Sequence, residues 1–160
     1  MARKNVDITI YTSEVLYDVM NKTHLTARSR DIGTNIKEVA YMQVTEDDTE
    51  ENQVLRSIGD AFALLKSRLS EYVESKGSTK DNTLMDKDIN LTLALSLPAN
   101  ANDAALESLP SAIHQYLVNQ TVGDWFTITN KNDAADYIAR AEVGLQELRE
   151  AVNKRVRPTR

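Results

Sequence analysis

The sequence predicts a mainly α protein, a helical bundle of long antiparallel helices with a small two-stranded β element. Three observations carry this. Ala134, Ile138, Ala141, Leu145, Leu148 and Val152 alternate steps of four and three residues, which holds one apolar seam on one side of a helix. Ile58, Phe62, Leu65, Leu69 and Tyr72 keep the same rhythm. Only two runs, Val6 to Ile10 and Ile89 to Leu97, alternate with the period of a half-buried strand.

In chain order, Val6, Ile8 and Ile10 alternate with Asp7 and Thr9 and read as a strand. Thr12 or Ser13 then offers an N-cap, and Val15, Leu16, Val19 and Met20 give a helix of about three turns. His24 to Arg30 is polar and basic, and Gly33-Thr34-Asn35 interrupts the chain before a short helical pattern, Ile36, Val39, Ala40. The acidic run Glu46, Asp47, Asp48, Glu50, Glu51 begins or precedes a long helix, because carboxylates favour the positive end of a helix dipole. That helix is expected from Glu51 to about Ser75, ending near Gly77. Ile89 to Leu97 is the second strand, closed by Pro98. A lone strand leaves backbone groups unpaired, so the two runs pair in one small sheet or each completes a sheet with a neighbouring subunit.

Two helices follow, Ala104 to Ile128 and Asp133 to Val156, joined by Thr129-Asn130-Lys131-Asn132. Pro110 breaks or restarts the first of them at its first turn. Gly59, Gly123 and Gly144 fall inside the three strongest helices, where each costs about 1 kcal/mol relative to alanine. Close approach between helices would justify that cost, and ordinary tolerance is the alternative.

Length and charge bound the function. A chain of 160 residues suits one domain, residues 1–160, able to bury roughly 70% of the surface its unfolded form exposes. It has no cysteine, which excludes disulfides, thiolate metal sites and cysteine nucleophiles and fits a reducing cytoplasm. No apolar run follows Arg3 and Lys4, so no secretory signal is expected, and no stretch approaches the ~20 apolar residues of a membrane span. The net charge of -5 argues against a general nucleic-acid binder. Its distribution is polar: acidic residues gather at 46–51, and Arg149, Lys154, Arg155, Arg157 and Arg160 dominate the C-terminus. Such polarity can orient neighbouring subunits, although each run also reads as a solvated segment.

No pattern points to catalysis, a cofactor or a metal. His24 and His114 stand far apart without ligand spacing, and neither Ser13, His24, Asp31 nor Ser111, His114, Asp124 sits in a nucleophile elbow. Phosphate-binding glycine loops are absent. The paired carboxylates Asp47-Asp48 and Glu50-Glu51 are explained more simply as a helix start than as a cation site. Trp125-Phe126 follows Ile113, Tyr116 and Leu117 at helical spacing and belongs to the core rather than to an exposed anchor. The candidate binding residues lie in the arm 153–160: Lys154, Arg155, Arg157, Pro158 and Arg160. Pro158 cannot continue a helix, so the arm is expected to leave as an extended segment whose cations meet carboxylates of a neighbouring protein or phosphates of DNA.

The runs Ala112-Ile113-His114-Gln115-Tyr116-Leu117-Val118-Asn119, Asp124-Trp125-Phe126, Asn130 to Tyr137 and Asn153 to Arg160 together resemble the C-terminal helical hairpin of neck proteins from tailed bacteriophages and prophages of Bacteroides-type bacteria. Tyr17 to Leu25 is similar too, so the resemblance spans most of the chain. It implies a non-enzymatic virion component made in the host cytoplasm, a head-to-tail connector or adaptor that forms a ring, usually dodecameric, beneath the portal. Its implied partners are copies of itself, the portal, adjacent neck or tail proteins and, transiently, the genomic DNA in the channel. The hairpin would form the ring wall, and the arm from Asn153 to Arg160 would dock on the portal or a neighbouring ring. The leucine-rich strand Ile89 to Leu97 departs from the simplest adaptors. The alternative, from another class, is a helical interaction module or regulator with a basic partner- or DNA-binding tail.

Overall fold

A computed structural model describes residues 2–74 and 81–159. In chain order the elements are β1 (Arg3–Ile10), α1 (Thr12–Ser29), α2 (Ile36–Met42), α3 (Asp48–Arg68), β2 (Leu91–Pro98), α4 (Asp103–Glu107), α5 (Leu109–Thr129) and α6 (Lys131–Asn153). The expected class is present: a helical bundle with one two-stranded sheet. β1 and β2 pair antiparallel within the chain, from Arg3 opposite Pro98 to Ile10 opposite Leu91. Leu91, Leu93, Leu95 and Leu97 turn inward and are buried, as the alternation requires. Ile89, assigned to this strand by its pattern, lies before it and is 61% exposed.

α5 is the axis of the bundle. Leu109, Ile113, Tyr116, Leu117, Val122 and Phe126 are buried, and so are Val118, Thr121 and Trp125 between them, so apolar surface wraps most of the helix. A helix apolar on all sides must be surrounded. α6, α3, α1, α2 and β1 all pack against it. Ser108 ends α4 and starts α5, with Pro110 in the first turn, where a missing N–H costs nothing. The four-residue turn expected between α5 and α6 is in fact one residue, Asn130, and α6 ends at Asn153 rather than Val156.

Two helices differ in length from the pattern reading. α1 has 18 residues rather than three turns, and its start is at Tyr11, with no side-chain cap from Thr12 or Ser13. Its buried face continues through Thr23 and Ala27, residues that hydrophobic periodicity does not count. The Thr23 hydroxyl donates to the Met20 carbonyl at 2.9 Å and accepts from the Val44 N–H at 3.2 Å, so a polar side chain is satisfied inside the core. α3 starts at Asp48, capped by Asp47, whose carboxylate accepts from the Thr49 N–H at 2.9 Å. It stops at Arg68, short of the expected Ser75, and the proposed terminator Gly77 lies outside the described residues. The reason is a competing partner. Tyr72 C=O accepts from Ser96 N–H at 2.7 Å and Glu74 N–H donates to Ala94 C=O at 2.9 Å, so Val73 bridges Leu95 and covers the second edge of β2.

The three helical glycines separate cleanly. A Cβ on Gly123 would stand 2.7 Å from Ile138 Cγ1 and 3.2 Å from the Ile138 backbone nitrogen, whereas Gly59 and Gly144 have nothing within 4 Å. Only Gly123 is needed for the close contact of α5 with α6. Gly33 takes φ 83°, in the left-handed region, and turns the chain between α1 and α2. Gly123→Ala is therefore expected to lower stability by about 1–3 kcal/mol through overpacking, while Gly59→Ala raises it by roughly 0.5–1 kcal/mol. Urea unfolding of both variants checks this; equal shifts of the same sign would show that the α5–α6 contact does not require glycine.

Candidate functional site

The C-terminal arm is pinned where it leaves α6. Lys154 turns extended, Asn102 N–H donates to its carbonyl at 3.1 Å, and Val156 N–H donates to Asn100 C=O at 2.9 Å, so Arg155 bridges Ala101. The Arg155 guanidinium is held inside this corner. It donates to Val152 C=O at 2.8 Å, to Lys154 C=O at 3.1 Å and to the Tyr72 hydroxyl at 3.2 Å, over the Tyr72 ring at 6.0 Å. Tyr72 in turn donates to Asn153 Oδ1 at 2.5 Å. Among the arm residues singled out in the sequence, Arg155 thus ties the arm to the segment after α3, while Lys154, Arg157 and Pro158 face solvent and Arg160 lies outside the described residues. The extended segment exists, but its first three residues belong to the body.

At the other end of the strands, the acidic segment is built into the fold. Glu50 Oε2 accepts from the Thr45 N–H at 2.7 Å and from its hydroxyl, Asp47 caps α3, and Glu51 pairs with Lys87 at 3.3 Å. Lys87 is correspondingly held above the usual lysine range, first by its hydrogen bond to Glu51. Glu46, Asp48, Glu51 and Asp88 surround an open hollow on α1 at Ser13, Tyr17 and Met20. Thr12 ties this end to the strand, its hydroxyl donating to Ile89 C=O at 2.6 Å.

These two ends are poles of one axis. α3 runs about 30 Å from the acidic start at Asp48 to Lys66 and Arg68. β2 runs the same way, from beside Asp88 to the corner that anchors the arm. Acidic residues at the start of α3 and basic ones at its end also complement the helix dipole.

The histidines are apart and differently occupied. His114 Nε2 meets Asp18 Oδ2 at 2.5 Å, and His24 Nδ1 meets Gln43 Oε1 at 3.0 Å. Asp124 instead accepts from Gln120 at 3.0 Å, and Asp31 accepts from the Gly33 N–H at 2.8 Å. Neither serine–histidine–aspartate set is assembled. Trp125 is buried and donates to Met42 C=O at 2.9 Å, and Phe126 meets Tyr137 edge-on at 5.5 Å. Among the described residues no three histidine, aspartate or glutamate side chains converge to hold a metal ion, and no helix is long and apolar enough to cross a membrane.

One polar cluster escaped sequence reasoning. Arg30 grips the buried Asp133 with two bonds, Nε to Oδ2 at 3.0 Å and Nη2 to Oδ1 at 2.5 Å, and Asn130 Nδ2 donates to Oδ2 at 2.5 Å. In the sequence Asp133 stood only as the expected start of the last helix. The Arg30 hydrogen bonds hold the Asp133 carboxyl below the usual aspartate range, against the opposing effect of its burial. This clamp fixes the α5–α6 turn to the end of α1. Comparisons with protein-family models, curated proteins and solved structures give no match.

A carboxylate depressed in the folded state contributes stability that is present above its unfolded pKa of about 3.9 and disappears as pH falls through the lower folded value. Asp133→Asn is expected to cost about 1–3 kcal/mol at pH 7, since the buried Asn130 amide and the Arg30 guanidinium lose a charged acceptor. The gap between wild type and variant should close in acid, below the ordinary aspartate range. Urea midpoints at neutral and acid pH measure it, and a gap independent of pH would assign the loss to packing.

Proposed function

We propose that this chain is a structural subunit of a bacteriophage neck, a head-to-tail connector that assembles with its own copies into a ring beneath the portal, extends the DNA conduit and joins capsid to tail. One observation carries the reading beyond the resemblance of the hairpin: the anchored arm emerges at one pole of a rigid helical body whose other pole carries the acidic segment. A subunit polarised in this way can meet a different neighbour above and below. α5 and α6, locked by Gly123 and the Arg30–Asp133 clamp, supply a stiff wall. Geometry does the work in this role, with no turnover.

In this reading the cations of Lys154, Arg157 and Arg160 dock on carboxylates of the portal or an adjacent ring, Pro158 keeps the segment from continuing a helix, and Arg155 sets the direction in which it leaves. The acidic pole meets a basic surface of the next component or faces the channel, where negative charge keeps DNA sliding. The regulator reading has fewer cations for phosphate, since the Arg155 guanidinium is occupied by Tyr72 and two carbonyls.

Peptide mass spectrometry of gradient-purified particles tests the assignment. The expected result is a copy number equal to that of the portal, and absence from particles with a complete neck overturns it. Deleting residues 157–160 keeps the Val156–Asn100 bond, so helicity and melting temperature are expected to stay unchanged while incorporation into particles is lost. Normal incorporation of that truncation would remove the docking role from the arm.

A further inference from the structure

The α5–α6 hairpin carries a feature that neither the arm nor the poles explain. An open groove of about 450 Å³ runs between the two helices on their solvent side. Its walls are lined with small residues, Ala112 from α5 and Ala139 and Gly144 from α6. Val143 stands in the same wall, 55% exposed, on a helix whose opposite side buries Ala141, Leu145, Leu148 and Val152, while Ile138 of the expected seam is 39% exposed. Tyr116 forms part of the groove as well; it is 1% exposed, and its hydroxyl has no hydrogen-bond partner among the described residues.

The charges around the groove say what fits. Arg140 and Glu147 both line it, seven residues and two turns apart on one side of α6, about 10 Å along the axis. Val143 and Gly144 lie midway. A two-fold axis passing there brings Arg140 of one copy opposite Glu147 of the other, twice, whereas a parallel in-register pair would set Arg140 against Arg140. The positive end of the groove gathers two cations, Arg140 and Lys22. Lys22, bonded to the groove residue Asn119 at 3.4 Å, is held below the usual lysine range by burial first and by Arg140 second, with Asp18 opposing.

We infer that this groove docks a second copy of the same chain, with the two α6 helices antiparallel about Val143 and Gly144 and the two hairpins closing into a four-helix bundle. The small residues let the helices approach, and Val143 of each copy enters the groove of the other. The contact stands apart from the neck assignment. A two-fold pair closes on itself, so a ring must be built through other surfaces, and the pair is the form of the subunit outside a ring.

The test uses the full chain, which has no cysteine of its own. Light scattering is expected to give twice the 17.9 kDa subunit mass over a concentration series. Val143→Cys should form a disulfide-linked pair under mild oxidation, while Tyr41→Cys, exposed on α2, should not. Arg140→Glu or Glu147→Arg alone should weaken the pair about tenfold or more, and the double reversal should restore it. Far-UV circular dichroism accompanies each variant, with Val143→Ser as a milder second variant should any exchange lower helicity. A wild type that stays at one subunit mass, cross-linking at Val143→Cys no greater than at Tyr41→Cys, or a larger assembly indifferent to both reversals would overturn the pair and give the groove to another occupant.

Discussion

The burial of α5 on nearly all sides constrains every other element of this structure. Leu109, Ile113, Leu117 and Phe126 each bring roughly 1.5–3 kcal/mol of apolar burial, and the loss of any one neighbour would expose the residues that face it. That requirement sets the rest. α6 must lie against one side, which Gly123 permits by removing a Cβ where Ile138 approaches. α3 and α1 must cover others, and α2 closes the remaining side through the Trp125 bond to Met42 C=O. The sheet serves the same end, because its leucine face packs into the core that α5 organises. Thr121 shows the cost of such complete enclosure: it is buried, and its hydroxyl has no partner among the described residues.

With the core fixed, the polar groups divide between holding the body together and facing outward. Arg30, Asp133 and Asn130 join the end of α1 to the one-residue turn of the hairpin. Arg155, Tyr72 and Asn153 join the end of α6 to the segment that follows α3. Both clusters use an arginine with several donors to tie elements distant in sequence, a task its planar fork suits better than a lysine ammonium. Among the exposed charges, those of the arm and those around Glu46 to Asp88 lie at opposite ends of the same strands. The proposed function follows from that division: a stiff centre, and two differently charged ends for two neighbours.

The division between pattern and geometry is visible residue by residue. The seams of α3, α5 and α6 were legible because buried leucines, isoleucines and phenylalanine repeat at the helical period, and the two strands because theirs repeats at two. The second half of α1 was not legible, since Thr23 and Ala27 carry its buried face and neither counts as strongly apolar. The end of α3 was not legible either. Tyr72 and Val73 continue the helical rhythm, yet their backbone finds better partners on the edge of β2.

The sequence by itself determined the class of the fold, the existence of its elements and the concentration of opposite charge in two segments, because these depend on local spacing and composition. Tertiary structure decided which strand partners which, which of three helical glycines is required, and which of the arm's cations is free to meet a neighbour. Each of those depends on a contact between residues far apart in the chain: Val6 with Leu95, Gly123 with Ile138, Arg155 with Tyr72. Period and propensity describe one segment at a time, and such contacts exist only once α5 has drawn the segments together.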